Sequence, residues 1–407
     1  MISYELENGI KIIYKKIEDN ITSFCIGVKA GAIEEKEFPL GTAHFVEHMV
    51  FKGTKKRNES TINALCDEIF GFENAMTNYP YCIYYGTTLT EDFENGLELF
   101  SDIILNPVFP EKGFEEEREV ILEELKQWSD ELSQYCEDQL FLNAFSKRRI
   151  KDLIIGNEIS INNIKLEDLK SFYEKYYIGN NMVISVVTSM EFEKVKLIVR
   201  KYFSQCKVSE KFSVLNENIR YENNIKGIFT SVREDIKGAR IQYCFPIHQL
   251  NNREVKILSL FNNFFGEGTS SILYDSIRTK NGVAYEIGSS IKNEIGIKVF
   301  SITLGTSKEK IDKALKLIDS CIHDIKNKKE FFTKDKVNKA AKSMKLKREL
   351  RHEKSVQMAK DFTCYELMYG NYKLVFEEID YLFDITHEDI NKVINEVLKC
   401  PSIQIIK

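Results

Sequence analysis

Two stretches near the start of the chain, Gly9-Ile10-Lys11-Ile12-Ile13-Tyr14 and Ile21-Thr22-Ser23-Phe24-Cys25-Ile26-Gly27-Val28, alternate between apolar and polar positions. That period of two predicts a pair of antiparallel strands. Around Thr90 the period changes. Phe93, Leu97, Phe100, Ile103 and Ile104 fall on one helical stripe, with Thr90 placed as its cap and Asn106-Pro107 as its stop. A long charged helix is then expected from about Pro110 toward Phe145, with Phe114, Ile121, Leu125, Trp128 and Leu132 as its buried stripe.

The second half repeats this plan. Ser307-Lys308-Glu309-Lys310 opens a helix carrying Ala314, Leu317, Ile318, Cys321 and Ile322, and Phe332-Thr333-Lys334-Asp335 opens another long charged one. Leu166-Glu167-Asp168-Leu169, with its helix and the strand from Met182 to Val187, is echoed by His387-Glu388-Asp389-Ile390, its helix and Ser402 to Ile406. Ser307 follows Thr90 at nearly the same distance along the chain as Glu388 follows Glu167. Two matches at nearly one spacing predict two tandem homologous α/β units, 1–210 and 211–407, joined in the polar stretch from Cys206 to Asn224. The class is α+β, each unit a mostly antiparallel sheet covered by helices.

Composition narrows the function. A chain of 407 residues exceeds the size at which one core stops growing, which agrees with two domains. With 57 basic and 62 acidic residues the net charge is -5, so neither a nucleic-acid footprint nor a basic membrane-docking face is indicated. No apolar run reaches the roughly 18 residues of a membrane span. Met1 to Glu7 lacks the positive region and apolar core of a secretory signal, so the expected compartment is the cytoplasm. The nine cysteines form no C-x-x-C pair, and the expectation is reduced, mostly buried thiols.

Chemistry concentrates in Gly41-Thr42-Ala43-His44-Phe45-Val46-Glu47-His48-Met49-Val50-Phe51. His44 and His48 stand one helical turn apart, so both imidazoles can reach one ion from the same face. Glu47 shares that face, giving H-x-x-E-H, the inverted order of the zincin motif, with a carboxylate beside the ion as a general base. A catalytic zinc needs three protein ligands and one open position. No further His or Cys lies close in sequence, so a carboxylate is expected to be the third. The long helix offers Glu115, Glu116, Glu117, Glu119, Glu123 and Glu124. At about 100° per residue, Glu123 points into solvent, while Glu117 and Glu124 share one shoulder of the buried stripe.

The run from Gly41 to Thr54, with His-Phe-x-Glu-His-Met-x-Phe-Lys-Gly-Thr, resembles the pitrilysin/insulinase superfamily of inverzincin peptidases, in particular the single-length bacterial and mitochondrial-processing-peptidase type. In that family the third ligand is a Glu at a characteristic spacing downstream of the second His, and the same spacing counted from His48 selects Glu124. The resemblance implies one Zn2+ per chain on His44, His48 and Glu124, with Glu117 as a carboxylate that orients the ligands. It implies further that Asn74 and Ala75 lie in a strand that pairs with substrate, and that Arg278 and Tyr285, in Ile277-Arg278-Thr279-Lys280-Asn281-Gly282-Val283-Ala284-Tyr285, grip the peptide. Residues 1–210 would then be the zinc-binding catalytic domain and 211–407 a homologous domain without metal ligands, the two together forming half of a peptidase chamber. The sequence departs from the family at Pro80, where an acidic residue is usual, at Ile272, where Arg is common, and in the segment Lys147 to Asp152, which lacks a His-Pro pair.

The implied activity is that of a zinc metalloendopeptidase acting on extended, unstructured peptides, with Glu47 as the base for the water at the metal's open position. The alternative is a peptide-binding or structural subunit of the same fold that needs a partner chain. The ligands and the grip residues lie in different repeats, and in double-length relatives four such units close one chamber. A homodimer is therefore expected, with a heterodimer of homologous chains as the other arrangement.

Overall fold

The computed structural model describes residues 1–209, 221–328 and 331–407, which form two compact units. The first comprises Met1–Lys126, Leu153–Asn218 and Leu350–Val375, and the second Gln127–Asp152, Ile219–Glu349 and Phe376–Lys407. The domain boundary expected at 210/211 lies outside the described residues. In chain order the elements are β1 (Ile2–Glu5), β2 (Lys11–Lys16), β3 (Ile21–Val28), α1 (Thr42–Val50), α2 (Glu59–Ile69), β4 (Phe70–Thr77), β5 (Cys82–Leu89), α3 (Phe93–Leu105) and α4 (Glu111–Asp130). Then come α5 (Leu132–Ala144), α6 (Glu158–Asn163), α7 (Leu166–Tyr176), β6 (Met182–Thr188), α8 (Phe192–Phe203), β7 (Gly227–Ser231), β8 (Gly238–Pro246) and α9 (Asn252–Phe265). A π-helical turn (Tyr274–Lys280), β9 (Ala284–Lys292), β10 (Val299–Ser307), α10 (Ile311–Asn327), α11 (Lys334–His352), α12 (Ser355–Tyr369), α13 (Leu374–Glu377), α14 (His387–Val397) and β11 (Ser402–Ile406) complete the chain.

The sheet of the first unit has the order β1-β2-β6-β3-β5-β4. Only β2 and β6 are parallel; the other neighbours are antiparallel. The two strands expected at the start, β2 and β3, do run in opposite directions, but β6 lies between them. The reason is composition. Met182-Val183-Ile184-Ser185-Val186-Val187-Thr188 is rich in β-branched residues and buried at every position, which suits a central strand covered on both faces.

One cover is α12, which packs on β3 and β6. Small and hydroxylic side chains let it approach closely. Thr363 Oγ1 lies 2.7 Å from Ser185 Oγ, and Ser355 Oγ lies 2.8 Å from Ser23 Oγ. A Cβ on Gly27 would stand 2.4 Å from Thr363 Cγ2, so only glycine permits this contact. The opposite side holds an aromatic core in which Phe24 meets Phe70, Phe93 and Phe100 edge-on.

The second unit repeats the plan with β7-β11-β8-β10-β9. Again one neighbouring pair, β7 and β11, is parallel. The helix α5 packs on β8 and β11 as α12 does on β3 and β6. The single long helix expected up to Phe145 is therefore two. Glu131 is extended, α4 ends with the first-unit face it builds, and α5 buries Cys136, Leu140 and Phe141 in the second unit.

Two expected caps also differ. Thr90 is the first residue of a short 3-10 turn and Ser307 precedes another, and the α-helices begin later, at Phe93 and Ile311, without a side-chain cap bond. The Thr90 hydroxyl instead accepts a hydrogen bond from Thr22 at 3.1 Å. All nine cysteines are free, eight of them buried and Cys400 exposed. No described helix is long and apolar enough to cross a membrane.

Candidate active site

The site is built on α1. Gly41 begins it in a left-handed conformation, φ +95°, and a Cβ there would lie 2.4 Å from the Ile155 carbonyl oxygen. The turn aims the amides of Gly41 and Ala43 at the carboxylate of buried Glu35, which accepts at 3.1 and 2.8 Å. An anion at a helix N-terminus is favourable, and this one fixes the start of the helix that carries the histidines.

His44 and His48 project from α1 with ring centroids 4.5 Å apart and Nε2 atoms 3.3 Å apart. Glu124, from α4, faces both. Its Oε1 is 3.8 Å from His44 Nε2 and its Oε2 is 3.6 Å from His48 Nε2. Two nitrogens each about 2.0–2.1 Å from one tetrahedral ion stand about 3.3 Å apart, so the spacing fits a shared cation. Burial brings the His44 imidazole down to about 3, helped by His48 beside it, which keeps its ring neutral and a lone pair available. Glu124 Oε2 is buried without a hydrogen-bond partner, a cost that a bound cation would offset. Among the described residues these three are the one His/Cys/Asp/Glu group close enough to hold a metal.

Around this trio the structure adds a second layer of contacts. His48 Nδ1 donates to Glu117 Oε1 at 2.8 Å, and Lys52 Nζ stands 2.9 Å from Glu117 Oε2. Burial pushes Glu117 up, but the hydrogen bonds from His48 and Lys52 outweigh it and bring the carboxyl down to about 2. An ionised Glu117 holds the proton of His48 at Nδ1 and turns the Nε2 lone pair toward His44 and Glu124. Glu47 is buried, and its Oε2 accepts from the Thr77 hydroxyl at 2.5 Å. Burial raises its proton affinity, and the Thr77 bond only partly opposes this.

The helical-face argument from sequence is matched by the exposure of the carboxylates. Glu123 is 60% exposed and pairs with Lys126, whereas Glu117 is 11% exposed and Glu124 35%. Asn74 is exposed and Ala75 partly buried on β4, an edge strand of the first sheet. Arg278 and Tyr285 belong to the second unit. Arg278 lies in the π-helical turn with its guanidinium 4.9 Å from the Tyr274 ring centre. Tyr285 is the extra residue of a bulge in β9 and is 58% exposed. Sequence reasoning missed what Thr77, Lys52 and Glu35 do. Lys52 could have been found, since it follows His48 by one helical turn; Thr77 and Glu35 carried no local signal.

Residues 11–158 match the family model described as insulinase (peptidase family M16), and residues 163–344 match that described as peptidase M16 inactive domain. An "Uncharacterized zinc protease" of Rickettsia felis is 25% identical over 395 residues, 97% of this chain and 94% of the relative. The "Uncharacterized zinc protease YmxG" of Bacillus subtilis is 25% identical over 396 residues, covering 95% and 93%. Mitochondrial-processing peptidase subunit beta of Saccharomyces cerevisiae is 31% identical over 208 residues, 51% of this chain and 45% of that one. The crystal structure of a protease from Helicobacter pylori superposes with a TM-score of 0.88 at 21% identity, covering 100% of this chain and 99% of the other.

Proposed function

The chain belongs to the pitrilysin/insulinase superfamily of peptidases, and from that premise we propose that it is a zinc-dependent endopeptidase cutting extended, unstructured peptides. The observation that carries the reading is the convergence of His44, His48 and Glu124 within 4.8 Å, beside a buried Glu47. A binding or scaffolding subunit would have no use for that base. The description of residues 163–344 as an inactive domain agrees with one zinc per chain. Reduced, buried thiols suit the cytoplasm as its compartment.

His44, His48 and Glu124 would hold the ion. Bound there, zinc supplies Lewis acidity, polarising a peptide carbonyl and lowering the pKa of water from about 15.7 toward roughly 7. The rest is work for side chains. Glu47 takes a proton from the attacking water at Oε1, the oxygen that does not accept from the Thr77 hydroxyl, and returns it to the departing amine. Burial, by raising the proton affinity of Glu47, suits a group that must keep a proton between two transfers. Glu117, held by Lys52, keeps His48 oriented; Glu117→Gln is expected to weaken zinc binding by about 10- to 100-fold, read by competition with a chromophoric chelator. Unchanged affinity would remove Glu117 from that role.

The exposed edge of β4 suits addition of a peptide strand through Asn74 and Ala75. Denatured or unstructured peptides should be cut, with full loss on chelation and recovery on adding zinc. A compact folded domain cut as fast as its denatured form would contradict the enclosed chamber. The working unit on this reading is a homodimer in which Arg278 and Tyr285 of one subunit complete the site of the other. The name of the yeast relative, a subunit beta, keeps a heterodimer as the alternative. Inactive His48→Ala and Arg278→Ala proteins, mixed and allowed to exchange subunits, are expected to regain part of the activity. If exchange is demonstrated and no activity returns, the shared site is wrong.

A further inference from the structure

The outer edge of β4 leads to the site and carries a charge that the site does not use. β4 pairs with β5 alone among the described strands. Along a strand the side chains alternate between faces. Thr77 turns toward α1, where its hydroxyl meets Glu47, so Ala75 and Glu73, two and four residues earlier, share that face. The neighbouring strand gives the same assignment. Tyr84, opposite Ala75, packs on Phe51 at the end of α1, whereas Tyr85, opposite Asn74, lies beneath Lys360 of α12 and beside Phe72.

Glu73 is partly buried and stands opposite Gly86, which offers it no side chain. Among the described residues no hydrogen bond or ion pair reaches its carboxylate, and the one charge acting on it is the negative charge of Asp67. Burial and Asp67 together push its carboxyl up. A partly desolvated anion without a cation is unfavourable unless something pairs with it, and here the open side is the edge along which a peptide would lie. At about 3.3 Å per residue, Glu73 is about 13 Å along the strand from Thr77 and about 7 Å from Ala75. A peptide strand added to this edge presents a side chain to the same face at every second residue.

Resting on the peptidase reading above, we propose that Glu73 is a specificity-determining residue: it selects a lysine or arginine two or four residues from the cleaved bond, in a peptide laid along the outer edge of β4. Phe72 and Asn74, on the opposite face, make the intervening peptide positions indifferent to positive charge.

The test uses the full zinc-loaded chain and fluorescein-labelled unstructured dodecapeptides in which one Lys, Ala or Glu is walked along both sides of the cut bond. At one position two or four residues away, wild type is expected to cut the lysine peptide with kcat/KM about three- to tenfold above the alanine peptide, and the glutamate peptide more slowly than either. In Glu73→Gln the lysine-to-alanine ratio should fall to about one, and in Glu73→Lys glutamate should become the preferred residue. A lysine preference found at no position, or one that survives unchanged in Glu73→Lys, overturns the proposal. The same peptides binding to Glu47→Gln protein, followed by fluorescence anisotropy, should show the same ratio in affinity. If nothing is cut yet lysine peptides bind preferentially and lose that preference in Glu73→Lys, the endopeptidase reading fails and Glu73 stands as a binding determinant. If peptides are cut with no charge preference, the reverse holds.

Discussion

Replacing Glu47 with glutamine is expected to leave zinc content and fold unchanged while lowering kcat/KM for peptide hydrolysis by at least about 10²- to 10⁴-fold. Glutamine keeps the size of the side chain and a carbonyl oxygen to accept from Thr77, so the contact between α1 and β4 survives. It loses the capacity to take a proton. Metal analysis and circular dichroism on the purified variant separate this outcome from unfolding, and turnover of a quenched peptide measures the loss. A Glu47→Gln protein with near wild-type turnover would exclude Glu47 as the base. Thr77→Val is the companion variant: it deletes the hydroxyl that fixes Glu47 and is expected to lower kcat more than it raises KM.

The second large effect concerns metal retention. The wild type should keep zinc through dialysis, and Glu124→Gln and His48→Ala should each lose it, and lose activity with it, whereas Glu123→Gln should keep both. Glu123 and Glu124 differ by about 100° around α4, and only Glu124 lies within 4 Å of both imidazoles. Glu123, paired with Lys126 on the exposed side, has no path to the site. Equal zinc loss from the two glutamine variants, or greater loss from Glu123→Gln, would contradict the assignment.

Much of this site was legible because its parts are helical. The spacing of His44, Glu47 and His48, and the sorting of Glu117 and Glu124 from Glu123, depend on a helical period that the local chain dictates. The strands were harder. β2 and β3 look like neighbours in sequence, yet β6, from far later in the chain, enters between them. An alternating pattern tells which face a residue occupies; it does not tell which strand lies beside it. The break at Glu131 was hidden for a related reason, since the residues on either side both suit a helix and only the two cores they serve differ.

By itself, then, the sequence determined the repeat, most of the helices, the histidine pair and the pattern of its carboxylates, consequences of local periodicity and spacing, and it carried the motif by which the chain resembles its family. The tertiary structure decided which distant groups meet. It brought the Thr77 hydroxyl to Glu47 and the Glu35 carboxylate to the amides of Gly41 and Ala43. It laid α12 on the first sheet and, among the described residues, left one edge of β4 without a partner strand beside Glu73. Such contacts follow from close packing and from burial of polar groups only when they are paired, conditions imposed by the whole folded chain and not written in any short segment of it.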